Sequence, residues 1–307
     1  MAQFADRLIQ QILAKDSRAI VGLDPRVDQM PAFVRGHGEY AAITAFHELV
    51  IEAVADLIPA VKPQLAFFEQ YGVVGMQAFE NTVLAAKKRG LLVIADGKRN
   101  DISSTAEAYA NAYLSPDVFD CDALTVTPYL GGDSLAPFVD ACQKHGKGLF
   151  VVLKTSNPGS KDFEDQTLQT TGRPLYEKIA GVLNEFGAGL VGDSGYSSIG
   201  AVIGATFPEE GRRLRALMPK ALILVPGYGA QGGSAQAAAE CFNDDGLGAI
   251  VNSSRGITYA FGDPDISREA FVRSVRENTL RMIGEVNAAV NPAGPRRPLQ
   301  SPALPRV

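Results

Sequence analysis

Eight short apolar runs alternate with longer stretches of helical spacing along a chain of 307 residues. The runs cover 19–23, 60–65, 91–95, 123–127, 149–154, 201–206, 222–226 and 249–252, and Gly, Pro or Asp bounds most of them. Such residues punctuate strands. Between the runs, 41–57, 77–89 and 174–186 carry apolar residues at helical spacing. Strands alternating with helices over this length predict an α/β fold, a (β/α)8 TIM barrel in one domain spanning 1–290.

Two stretches compete for the sixth strand. Gly189-Leu190-Val191-Gly192 is apolar, but 201–206 runs directly into Phe207-Pro208-Glu209-Glu210. Pro and acids in a first turn make a good helix start, so 201–206 is the expected strand. The earlier stretch then belongs to a long connection. The last helix is expected from Ile266 to about Val286, with Phe271, Val272, Val275, Met282 and Ile283 as its apolar stripe. From 291 to 307 the chain is proline-rich and aperiodic, which predicts a disordered tail.

The formal charge of −5 argues against nucleic acid or an anionic membrane as the main partner. A local basic pocket for a small phosphate ester remains open. Cys121, Cys142 and Cys241 lie far apart and form no CxxC or Cys/His cluster, so neither a zinc site nor any other metal is expected. Buried free thiols in the cytoplasm are the simpler reading. The N-terminal MAQFADRLIQQILAKDS reads as an amphipathic helix with acids rather than a signal peptide. No stretch of about 18 apolar residues occurs that would span a membrane.

In a barrel of this kind, chemistry sits at the carboxyl ends of the strands. Polar residues crowd those ends. Asp96 and Lys98 stand two apart at the end of the third run, so their side chains should share a face, and Asp101 follows in the loop. Charges packed so closely fix one another's protonation. A surface ion-pair network is the alternative. Lys62 ends the second run, where burial demands a partner, and Asp96 on the next strand is the candidate. A lysine snorkelling at the rim would look the same. Asp24, in Gly22-Leu23-Asp24-Pro25, ends the first run and could also be a simple turn opener.

The fifth run ends in Lys154-Thr155-Ser156-Asn157-Pro158-Gly159-Ser160, a loop able to read the edge of a heterocycle or merely to turn. The seventh ends in Pro226-Gly227-Tyr228-Gly229-Ala230-Gln231-Gly232-Gly233, and the eighth in Asn252-Ser253-Ser254-Arg255-Gly256. Glycines admit an anion close to the backbone, and Arg offers a bidentate fork. These two loops form the usual phosphate site of the fold.

Taken in order, Gly22-Leu23-Asp24-Pro25, Asp96-x-Lys98-x-x-Asp101, the 155–159 loop and the 226–233 loop resemble the orotidine 5′-phosphate decarboxylase family. The longer bacterial form is the most similar, over roughly residues 5 to 288. The resemblance implies decarboxylation of orotidine 5′-monophosphate to uridine 5′-monophosphate without a cofactor. It implies a homodimer with shared active sites, in which Lys62, Asp96 and Lys98 come from one subunit. Asp101 and Thr105 come from the other. It assigns Asp24 and Lys62 to the ribose hydroxyls and Ser156 to the pyrimidine. Gln231, with Gly232 beside it, and Arg255 go to the phosphate, and Gln231 also touches the base. Two rivals stay open: a Mg2+-dependent sugar-phosphate decarboxylase or aldolase sharing DxKxxD, and a non-catalytic sensor of phosphate ligands.

Overall fold

The computed structural model describes residues 2–229 and 232–291. Eight parallel strands close into a barrel in chain order. They are β1 (Ala19–Leu23), β2 (Ala60–Pro63), β3 (Leu92–Arg99), β4 (Ala123–Val126), β5 (Gly148–Lys154), β6 (Ser197–Ile203), β7 (Ala221–Val225) and β8 (Ala249–Ser253). The last strand returns to the first through Ala19↔Val251, so the sheet has no free edge. The helices are α1 (Phe4–Lys15), α2 (Glu39–Val54), α3 (Leu65–Glu69), α4 (Gly72–Lys88), α5 (Ser103–Leu114) and α6 (Gly132–His145). After them come α7 (Leu175–Gly187), α8 (Pro208–Leu217), α9 (Ala235–Ala239), α10 (Arg255–Thr258) and α11 (Arg268–Val290).

Strand alternation separates two cores. Ile20, Ile94, Phe150, Val152, Val202, Leu224 and Ile250 cluster together and fill the inside of the barrel. Their neighbours Val21, Val93, Val151, Ile203, Ile223 and Val251 cluster instead with helix residues such as Phe46, Phe79, Phe138 and Phe271. The amphipathic N-terminal segment is α1, as expected. Its Phe4, Leu8, Ile9 and Ile12 join the inner cluster, so this helix closes the amino-terminal mouth. Phe4 meets Phe150 edge-on, 5.9 Å between ring centroids. A Cβ on Gly148 would stand 2.1 Å from the Phe4 ring, which is why β5 begins with glycine.

The sixth strand lies earlier than 201–206, at Ser197–Ile203. Two serines and Gly200 disguise its start, but their polar groups are satisfied internally. Ser197 Oγ donates to the Gly187 carbonyl at 3.0 Å, and Ser198 Oγ accepts the Ala5 N–H at 3.2 Å. Val191 of the competing stretch makes an antiparallel bridge to Ser197 and therefore belongs to the connection, as expected. Pro208 opens the following helix where the sequence places it. The second strand stops at Pro63 rather than at residue 65, because Leu65 already starts α3. The last helix runs on to Val290. The proline-rich stretch from 292 onward, expected to be disordered, lies outside the described residues. Among the described residues no helix is long and apolar enough to cross a membrane.

Candidate active site

At the carboxyl mouth of the barrel a cavity of about 450 Å³ is lined by residues of β2, β3, β6, β7 and β8 and of the segments that follow β1, β2, β5, β7 and β8. Asp24, Lys62, Asp96, Lys98, Ser156 and Arg255, each singled out in the sequence, all face it. A larger cavity of about 580 Å³, between the Tyr228 loop and α11, contains none of the Asp–Lys cluster. Charge, not size, locates the chemistry.

Asp96 is the hub. Its carboxylate accepts four hydrogen bonds: Lys62 Nζ at 2.5 Å and Gln64 Nε2 at 2.9 Å on Oδ2, Lys98 Nζ at 2.6 Å and Thr125 Oγ1 at 2.9 Å on Oδ1. Lys62 and Asp96 are only 4% and 6% exposed. Burial alone would push the Asp96 carboxyl up, but the two ammonium groups outweigh it and hold it far below the ordinary carboxylate range. Burial likewise works against a charged Lys62, yet Asp96 and Asp24 raise its pKa above the ordinary 10.5. Both groups stay ionised at neutral pH.

Lys98 reaches Asp96 by a route that ideal alternation does not describe. Its φ is +46°, in the left-handed region, and the β3–β4 register shifts between Ala95 and Arg99. A non-glycine residue held there stores about 1–3 kcal/mol of strain. Thr125 secures it by accepting the Lys98 N–H at 2.9 Å while donating to Asp96. Thr125 and Gln64 escaped the sequence reading. Their signals were faint: a lone hydroxyl in an apolar strand, and a polar residue two beyond Lys62.

Other lining groups await donors or anions. Asp24 Oδ1 and Asn252 Oδ1 are buried without a hydrogen-bond partner among the described residues. Arg26, also missed from sequence, lies over the Phe67 ring at 4.7 Å and lines the cavity with it. Arg255 opens α10 at the rim and is exposed. The described lining holds four cations (Arg26, Lys62, Lys98, Arg255) against two carboxylates (Asp24, Asp96). This electropositive pocket in a chain of net charge −5 is built for an anion.

Three expected residues stand apart from this cavity. Asp101 is half-buried in the loop after β3, where Oδ1 accepts the Ile102 N–H at 2.8 Å. Thr105 is exposed on α5. Gly232 is exposed with φ +89°, and Gln231 lies outside the described residues.

Comparison with known proteins agrees with this architecture. Residues 17–270 match the model of the orotidine 5′-phosphate decarboxylase / HUMPS family. The chain is 45% identical to the orotidine 5′-phosphate decarboxylase of Rhodopirellula baltica over 298 residues, covering 92% of this chain and 98% of that one. A Streptomyces avermitilis structure described as an orotidine 5′-phosphate decarboxylase superposes with a TM-score of 0.80 at 34% identity, covering 94% and 96% of the two chains. The Leishmania donovani OMP decarboxylase structure gives a TM-score of 0.73 at 32% identity, covering 94% and 99%. A family match over most of the barrel and relatives of near-equal length leave one assignment: the chain belongs to the orotidine 5′-phosphate decarboxylase / HUMPS family.

Proposed function

We propose that this cavity decarboxylates orotidine 5′-monophosphate to uridine 5′-monophosphate in pyrimidine biosynthesis. The observation that carries the reading is one carboxylate, Asp96, gripping two ammonium groups inside a cationic pocket. Breaking the bond from C6 to the carboxylate leaves an electron pair in the ring plane, where the π system cannot spread it. Fixed positive charge is then the main means of stabilisation. Lys98 stands free enough to face a ligand, its side chain 44% exposed, and supplies first the charge and then the proton that C6 takes up. Asp96 keeps that ammonium aimed. Lys62 and the unpaired Asp24 oxygen suit ribose hydroxyls, Ser156 the pyrimidine, and Arg255 with the glycine-rich 227–233 loop the phosphate. Gln231 and Gly232 belong to the same phosphate loop.

Asp101 and Thr105 do not line their own chain's cavity. Asp101 precedes Ile102 and Thr105 lies one turn after it, and Ile102 is an apolar residue left 52% exposed. The reading therefore includes a homodimer in which these two residues complete the partner's site. Three buried free cysteines suit a reducing compartment such as the cytoplasm.

An absorbance assay on purified protein, with orotidine 5′-monophosphate and no added metal, tests the activity. Steady conversion that survives exhaustive EDTA treatment is expected. Turnover that vanishes with EDTA and returns with Mg2+ would favour the metal-dependent reading instead. For the phosphate contact, Arg255→Ala is expected to weaken uridine 5′-monophosphate binding about 10- to 100-fold, the worth of a charged hydrogen-bonding pair. Uridine, which lacks the phosphate, should bind both proteins alike in calorimetry. Equal losses for both ligands would remove Arg255 from the phosphate site.

A further inference from the structure

The connection between β5 and α7 is folded over a buried lysine. Lys154, the last residue of β5, is 0% exposed. Its ammonium meets Asp165 Oδ1 at 2.6 Å, Ser160 Oγ at 3.1 Å and Glu164 Oε2 at 3.5 Å, with the Phe207 ring 4.6 Å away. Glu164 is buried too, and its carboxylate also accepts the Thr155 N–H at 3.0 Å and the Thr155 hydroxyl at 2.8 Å. The next residue is clamped from the other side. Thr206 Oγ1 donates to the Ser156 carbonyl at 3.1 Å. A Cβ added to Gly204 would lie 2.8 Å from Ser156 Cβ.

Buried ion clusters contribute little net stability, because desolvation offsets the attraction between the charges. Here their hydrogen bonds tie Lys154, Thr155, Ser160, Glu164 and Asp165 into one arrangement. The backbone held in this way is the stretch 155–157, which faces the cavity. Neither Lys154 nor Glu164 lines that cavity, so neither can touch a ligand there.

We propose that Lys154 and Glu164 are positioning residues that lock 155–157 in register with the ring of the substrate, and so set selectivity for the base independently of phosphate binding. The proposal rests on the pyrimidine-nucleotide reading above. Loosening the lock lets Ser156 swing away from the ring while the phosphate site, on the β7 and β8 loops, stays intact.

Two variants test it. Glu164→Gln keeps the shape and removes the charge; Thr155→Val deletes only the hydroxyl that Glu164 accepts. Calorimetry compares uridine 5′-monophosphate with ribose 5-phosphate, which shares everything but the base. Each variant is expected to bind the nucleotide about tenfold more weakly, the loss of about one charged hydrogen bond, with ribose 5-phosphate within about twofold of wild type. Equal weakening of both ligands, or no change in either, overturns the positioning role. Thr155→Val keeps the buried charges intact, so its result stands even where Glu164→Gln folds poorly. Wild-type protein that binds both ligands equally would overturn the nucleotide reading itself, whatever the variants do.

Discussion

Lys98→Ala is expected to abolish almost all turnover while leaving nucleotide binding largely intact. The side chain does two jobs in the proposed reaction. Loss of one preorganised charge at a developing anion costs about 10²–10³ in rate. Loss of a positioned proton donor costs about 10²–10⁴. Both vanish together here, so kcat should fall by about 10⁴–10⁷. The uridine 5′-monophosphate affinity should stay within about tenfold, since phosphate and ribose contacts supply most of the binding. Single-turnover kinetics and calorimetry on the same preparation separate the two quantities. Near-normal kcat would remove Lys98 from the proton-transfer step. The same variant tests whether the site is shared: mixed with Asp101→Ala protein, it should regain activity if Asp101 serves the partner subunit. A mixture no more active than its components would confine each site to one chain.

Asp96→Asn is expected to have the second largest effect, and on stability as well as rate. Asparagine can still accept from Gln64 or Thr125, but it leaves the buried Lys62 ammonium without its counter-charge. Breaking a buried ion pair from one side costs about 3–5 kcal/mol. The pH dependence follows from the directions of the shifts. The Asp96 carboxyl is lowered in the folded protein, so its stabilisation is complete above the ordinary value of 3.8 and fades as pH falls from there toward the depressed one. The Lys62 ammonium is raised, so its share is complete below 10.5 and fades only as pH climbs through the elevated value. Denaturant unfolding should therefore show a constant gap between wild type and variant across neutral pH, narrowing in acid. The double variant Lys62→Met/Asp96→Asn, with neither charge, should regain most of the lost stability and none of the turnover. A gap that stays constant below pH 3 would contradict the ionised pair.

The barrel was legible because burial on both faces leaves a parallel strand as an apolar run, and each of the eight runs overlaps a strand, although β3 continues through the polar stretch 96–99 beyond the third run. The sixth was displaced because Ser197, Ser198 and Gly200 look like turn residues until their partners, Gly187 and Ala5, are in place. Those partners are ten and about two hundred residues distant, beyond any local pattern. At the site, Asp24, Lys62, Asp96, Lys98, Ser156 and Arg255 were all marked by one rule, polar residues at strand ends, and they converge because a closed barrel gathers all its strand ends into one ring.

What the chain by itself determined was therefore the kind of fold, the identity of the charged groups and the end of the barrel where they meet, since hydrophobic period and polar placement are local. Tertiary structure alone decided how those groups touch. The bridge through Thr125 and the Gln64 contact join neighbouring strands that the barrel brings within hydrogen-bond reach, Thr125 holds the left-handed bend at Lys98, and the Lys154–Glu164 pair forms only once the β5–α7 connection folds back on itself. Hydrogen bonds and ion pairs act over a few ångströms of space, whatever the separation along the chain.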